Sequence, residues 1–178
     1  MDLLIKRAMK GDQDSFFKLI DNSMTQLYKV AKSRLNDEDS IGDAIQETII
    51  AAYSNINKIK EPRYFNTWLI RILINKCNDI VGDKKIVYVE DYNLVEDTNL
   101  TYNMDIDESL DFDNILNSLP QEYRTVIVLY YVNKFTTREI SKILNEKEGT
   151  IKSRLSRGRS KLKSLYLKEK SVGGINYE

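Results

Sequence analysis

Residues 136–162 read TTREISKILNEKEGTIKSRLSRGRSKL. Thr136 with Glu139 three residues on is the spacing of a reciprocal helix cap, hydroxyl to amide and carboxylate to amide. A short helix carrying Ile140, Ile143 and Leu144 should follow. Asn145 then stands where that helix must stop, and asparagine tolerates the left-handed conformation of such a stop. The pattern predicts a last helix from about Glu148 to Tyr166, with Ile151, Leu155, Leu162 and Leu165 inward. Its outward positions are then Thr150, Lys152, Ser153, Arg154, Ser156, Arg157 and Lys161. Small hydroxyls alternate with cations. Arginine forks suit guanine edges and phosphates, and Ser and Thr permit close approach. Gly149 and Thr150 leave backbone N–H groups at the helix start, where a phosphate can sit. A short helix, a tight turn and this helix form a helix-turn-helix whose second helix enters the major groove. The plainer alternative is a solvated helix of a bundle. Cap, turn and alternation together favour DNA.

The rest of the chain is consistent with an all-α protein. Its 178 residues suffice for one large domain or two small ones, and 42% are apolar. Seven glycines and two prolines leave little material for tight turns. One cysteine, Cys77, and no histidine argue against an internal disulfide and a structural zinc site. They also remove the commonest acid-base agent, so no enzyme, cofactor or metal is expected. No apolar run reaches the ~18 residues of a membrane span, and Met1–Gly11 is too short and too charged for a signal peptide. These features point to the reducing cytoplasm.

The net charge of zero hides three blocks. Residues 1–85 carry 14 Lys/Arg and 12 Asp/Glu, residues 86–113 none and 9, and residues 114–178 13 and 6. A basic end suits nucleic acid, and an acidic, weakly apolar middle suits a tether. The expected organisation is a first domain over 1–85, an acidic flexible linker over 86–113, a second domain over 114–170 and a tail over 171–178. In the first domain, helices are predicted over about Leu3–Lys10, Asp14–Leu35, Ser40–Ile56 and Pro62–Val81. The second carries Phe16, Phe17, Ile20, Met24, Leu27, Tyr28, Ala31 and Leu35 at helical spacing. The third presents Ile41, Ile45, Ile49, Ala52 and Ile56. The fourth is apolar almost all round and should be central. Ser118 with Gln121 is a further capping-box candidate, opening a helix that packs Tyr123, Val126, Ile127 and Tyr130.

At this point the chain resembles a known family. Glu139-Ile-Ser-Lys-Ile-Leu followed by Gly149-Thr-Ile-Lys-Ser-Arg-Leu resembles region 4 of bacterial ECF-type sigma factors, and Leu119-Pro-Gln-Glu-Tyr-Arg124 resembles its opening. Asp43-Ala-Ile-Gln-Glu47 resembles the core of region 2, and Phe65-Asn-Thr-Trp-Leu-Ile-Arg-Ile-Leu-Ile-Asn75 a later part of it. Both domains thus match in order. The sequence departs from the usual pattern at Asn145 (glycine), Glu146 (apolar), Gly158 (alanine), Gly42 (glutamate) and Ile49 (aromatic). The resemblance implies a dissociable subunit that gives core RNA polymerase its promoter specificity. Region 2 would bind the polymerase and melt the −10 element of promoter DNA, and region 4 would hold the −35 element. It also implies an anti-sigma factor, in this family often membrane-bound. The family's linker threads polymerase channels, where Glu90, Asp91, Glu96 and Asp97 could mimic nucleic acid.

The candidate residues follow. For the −35 element they are Thr150, Lys152, Ser153, Arg154 and Arg157. On the third helix, Asp43, Gln46, Glu47 and Ile50 are close neighbours, and an apolar residue among acids and an amide suits a protein-docking surface. The alternative is a solvated face with one stray isoleucine; the resemblance favours docking to the polymerase clamp. On the fourth helix, Trp68, Arg71 and Asn75 share a face, with Lys60, Arg63 and Tyr64 in or near the loop before it. Aromatics, cations and an amide suit unstacked bases. By resemblance Asn75 would contact an extruded −10 base. For Trp68 the plainer reading, simple core packing, is favoured over a base contact, and Asn75 is the stronger candidate. A conventional helix-turn-helix regulator would leave the motifs at 43–47 and 65–75 without a reason.

Overall fold

The computed structural model describes residues 1–82 and 116–172, with side chains described as far as Leu167. The acidic segment 86–113 and the tail from 173 lie outside the described residues. All regular structure among the described residues is helical. The chain divides into two compact units, N-terminal and C-terminal.

The N-terminal unit contains α1 (Asp2–Met9), α2 (Gln13–Lys32), α3 (Glu38–Asn55) and α4 (Phe65–Val81). Two single 3-10 turns, Ile56–Lys58 and Pro62–Tyr64, join α3 to α4. Two aspartates set helix starts. The Asp12 carboxylate accepts the Ser15 amide at 3.2 Å, and that of Asp37 accepts the Ser40 amide at 2.8 Å. These bonds occupy N–H groups that the first turn leaves unpaired. They also hold both carboxyls below their ordinary value. α4 ends at Gly82, whose φ of +78° supplies the left-handed stop.

α3 packs chiefly on α4, and α2 lies against both. The core between them is Leu19, Leu27, Val30, Ala44, Ala52, Phe65, Leu69, Leu73 and Cys77, all fully or almost fully buried. Burial pushes the Cys77 thiol up to about 11, so it is a packing residue and not a thiolate. Two expected core residues lie outside. Phe17 is 54% exposed and Met24 is also exposed, while Leu19, Ser23 and Val30 take the inward positions. Phe16 and Phe17 point about 100° apart on a helix, so a single packed face accepts only one. Phe17 instead meets the edge of Phe16, with ring centroids 5.9 Å apart. On α3 the buried stripe likewise runs through Ala44 and Thr48, leaving Ile49 half-buried. Small side chains at 44, 48 and 52 let α3 lie close to its neighbours.

The C-terminal unit contains α5 (Gln121–Ile127), a π-helical turn (Val128–Val132), α6 (Thr137–Leu144) and α7 (Glu148–Val172). The Thr136–Glu139 box forms as expected: the Thr136 amide donates to Glu139 Oε2 at 2.8 Å, and the Glu139 amide to Thr136 Oγ1 at 3.2 Å. Asn145 has φ +52° and makes the turn into α7. The Ser118 box is displaced. α5 begins only at Gln121, with Pro120 extended at its cap. The residue before a proline is driven out of the helical region, so Leu119 cannot open the helix that a Ser118 cap requires.

α7 is longer than the sequence suggests and runs to Val172. It buries Ile151, Leu155 and Leu162 and packs on α5; Leu165 is only half-buried. Gly158 marks the crossing. A Cβ there would stand 2.9 Å from Ile127 Cδ1 and 3.3 Å from Tyr123 Cβ. The helix propensity lost at this glycine accompanies a close approach of two helices.

Candidate nucleic-acid and polymerase interfaces

The outward face of α7 carries the predicted DNA contacts, in two different states. Thr150, Lys152, Ser153 and Arg157 are exposed. Lys152 reaches back one turn to Glu148 at 2.8 Å, with its side chain 64% exposed. Glu148 also accepts the Thr137 hydroxyl at 2.8 Å, which ties the start of α7 to the start of α6. The Lys152 ammonium and the Thr137 hydroxyl hold the Glu148 carboxyl below its ordinary value. An exposed pair of this kind is worth little, so Lys152 can exchange its carboxylate for a phosphate. Arg154 is different. Its Nη1 lies 2.7 Å from Glu146 Oε2, and its Nη2 3.8 Å from Glu122 Oε2.

On α3, Asp43, Gln46, Glu47 and Ile50 are all exposed. Ile50 shows 54% of its surface among these polar groups. Tyr53, one turn further on, is also exposed. Its ring meets Phe16 edge-on at 5.1 Å, and its hydroxyl accepts a bond from Gln13 of α2 at 2.8 Å. The sequence reading missed Tyr53, although it stands three residues after Ile50 on the same side. Glu47 is bridged to Lys76 of α4 at 3.2 Å, which joins the acidic face to the neighbour of Asn75.

On α4, Asn75 is exposed, and Arg71 and Trp68 are half-buried. Trp68 is in part core, with its ring 6.2 Å from that of Phe65. Lys60 is exposed in the loop. Tyr64 is only 7% exposed, and the Arg63 guanidinium lies 4.8 Å from its ring centre. Tyr64 therefore supports the loop from below and offers no open ring face. Arg63, the second cation expected in this loop, is exposed and paired with Glu61 at 2.7 Å.

Comparison with known proteins accounts for the pairing of these surfaces in one chain. Residues 19–85 match the family described as Sigma-70 region 2, and residues 109–162 match Sigma-70, region 4. The chain is 35% identical to the ECF RNA polymerase sigma factor SigW of Bacillus subtilis, over 89% of its own length and 92% of that protein's. It belongs to the ECF sigma factors. The ECF RNA polymerase sigma-E factor of Salmonella typhimurium is 27% identical, with 88% of this chain and 89% of that one covered. Among solved structures, the sigma factor RpoE of Bartonella quintana, in complex with the anti-sigma factor NepR, is 26% identical at a TM-score of 0.60, covering 85% of this chain and 96% of that one. As an ECF sigma factor, the chain directs promoter-specific initiation by RNA polymerase and is not itself an enzyme. Among the described residues no helix is long and apolar enough to cross a membrane, and no group of side chains is suited to a metal ion.

Proposed function

We propose that this sigma factor divides its contacts among three faces. Asp43, Gln46, Glu47 and Ile50, extended by Tyr53, dock on core RNA polymerase. Asn75, with Arg71, Trp68 and Lys60, receives the opened −10 element, over a loop that Tyr64 supports. Thr150, Lys152, Ser153 and Arg157 hold the −35 element. The carrying observation is Ile50, more than half exposed beside three polar neighbours. A helix with no partner gains nothing from an apolar residue there, whereas a docked one buries it. Residues 1–85, 86–113, 114–170 and 171–178 serve as polymerase-docking unit, acidic linker, −35 unit and tail. The factor works in the cytoplasm, where its polymerase is.

An anti-sigma factor is the expected regulator. The Bartonella quintana relative was solved with one, and a chain that docks by an exposed apolar residue offers an inhibitor the same handle.

Run-off transcription with core polymerase and a genomic promoter library tests the reading. Promoter-dependent products are expected from the wild type. Ile50→Asp should abolish them together with core binding. Asn75→Ala should leave core binding intact but weaken opening, and more so on a duplex promoter than on one with a pre-melted −10 element. Core binding undiminished in Ile50→Asp would remove α3 as the docking face.

A further inference from the structure

Arg154 sits among the groups that the −35 reading assigns to DNA, yet its surroundings are of another kind. Around the axis of α7, Ile151, Leu155, Gly158 and Leu162 define the buried side. With about 100° per residue, Arg154 falls about 70° from the middle of that side, while Ser153, Ser156 and Arg157 point away from it. Its side chain keeps 23% exposure, and that of its partner Glu146 keeps 25%. Both carboxylate oxygens of Glu146 lie 2.7 Å from Arg154 Nη1. Glu122, from α5, faces Nη2 at 3.8 Å. One guanidinium thus meets two carboxylates, and the local charge is negative. A phosphate or a guanine edge would have to displace them, with a cation that is already paired and partly desolvated.

Glu146 is itself held in place. It follows the left-handed Asn145, its amide donates to the Ser141 carbonyl at 3.0 Å, and its carbonyl accepts the Ser141 hydroxyl. The carboxylate therefore projects from the turn between α6 and α7, and its ion pair spans that turn and the second turn of α7. Glu122 extends the contact to α5.

From this arrangement we infer that Arg154 is a positioning residue and not a reader of the −35 element: with Glu146 and Glu122 it locks the start of α7 to the turn and to α5. Glu146, which stands where an apolar side chain is usual, is the partner on which that lock depends. Thr150, Lys152, Ser153 and Arg157 are left to meet DNA. The inference rests on the assignment of the exposed α7 face to the −35 element.

The test uses the full chain with core polymerase, a promoter taken from the library, and variants of its −35 element. Arg154→Met leaves Glu146 without its cation and is expected to lower transcription at least fivefold. Glu146→Leu combined with Arg154→Met replaces the pair by apolar packing and is expected to return output to within about twofold of wild type, because packed apolar residues can substitute for an ion pair that is partly desolvated. The ranking of −35 variants should be that of the wild type. Failure of the double variant to recover, or a ranking altered at one base pair by Arg154→Met, overturns the inference. Arg157→Met is the control for the underlying assignment. It should change the ranking, and Glu146→Leu should not rescue it. If Arg157→Met leaves the ranking untouched, the −35 assignment of the exposed face fails, while recovery of the double variant still decides the role of Arg154. Thermal unfolding of the single and double variants without polymerase supplies a second reading of the 146–154 coupling; additive shifts there count against the lock.

Discussion

Region 2 and region 4 hold the side chains proposed as their contacts by different means. In region 2, α4 buries Phe65, Thr67, Leu69, Ile70, Leu73, Ile74 and Cys77, and α3 buries five more residues beside it. Asn75 and Ile50 are presented by helices that apolar packing already holds. In region 4, Ile151, Leu155, Gly158 and Leu162 are the buried positions among the described side chains of α7, and its first turns carry polar and charged ties: Glu148 with Thr137 and Lys152, and Arg154 with Glu146 and Glu122. A helix that must offer cations to DNA has few positions left for apolar anchoring. The difference teaches that the geometry of region 4 should respond to charge and salt where that of region 2 responds to volume.

The largest effect is expected in the region 2 core. Phe65→Ala should cost about 3–5 kcal/mol in urea unfolding of the full chain, because a fully buried aromatic leaves a cavity. Hydrogen exchange should place the loss in helices α2–α4 and leave α7 protected. Uniform loss across both regions would break the comparison.

Next comes the α5–α7 crossing. Gly158→Val should cost about 1–3 kcal/mol by overpacking against Ile127. Gly158→Ala should stay within about 1 kcal/mol of wild type. It gains helix propensity of about that size; its methyl comes closest to the flexible end of Ile127, at 2.9 Å, and stands 3.3 Å from Tyr123 Cβ, so a shift of the Ile127 side chain accommodates most of it. A Gly158→Ala loss as large as that of Gly158→Val would mean that the two helices cannot yield at all.

Smaller again is the α6 cap. Thr136→Ala removes one side of the reciprocal box and should cost about 1 kcal/mol, seen as faster amide exchange at Glu139. Unchanged exchange there would show that the box adds nothing to the packing of Ile140.

The smallest effect concerns pH. Asp12 and Asp37 have folded pKa values below the ordinary 3.8 because amides of Ser15 and Ser40 donate to them. Their contribution is therefore fully present above the ordinary value and is lost as pH falls through the lower folded values. Carboxyl carbon titrations should show both midpoints below 3.8, with α2 and α3 fraying at their starts as they titrate. Asp37→Asn should retain the cap and abolish the α3 part of this dependence, since asparagine caps as well. A midpoint at the ordinary value would mean that the bond is absent in solution.

What the sequence determined by itself was local. The box at Thr136 and Glu139, the left-handed stop at Asn145 and the amphipathic stripes of α3 and α7 each depend on residues within a few positions of one another, so spacing suffices to find them. The exposure of Ile50 was legible for the same reason: it lies opposite the apolar stripe on its own helix. Tertiary structure decided the rest. Whether Phe16 or Phe17 faces inward depends on where α3 and α4 lie, and periodicity alone assigned both. Gly158 reads as a helix weakness until Ile127 stands 2.9 Å from its missing Cβ. Tyr64 reads as a stacking platform until the fold buries it beneath Arg63. Arg154 has the spacing of a DNA-reading cation. Its partners, 8 residues away at Glu146 and across the unit at Glu122, belong to other elements, and only their convergence in space turns its charge inward.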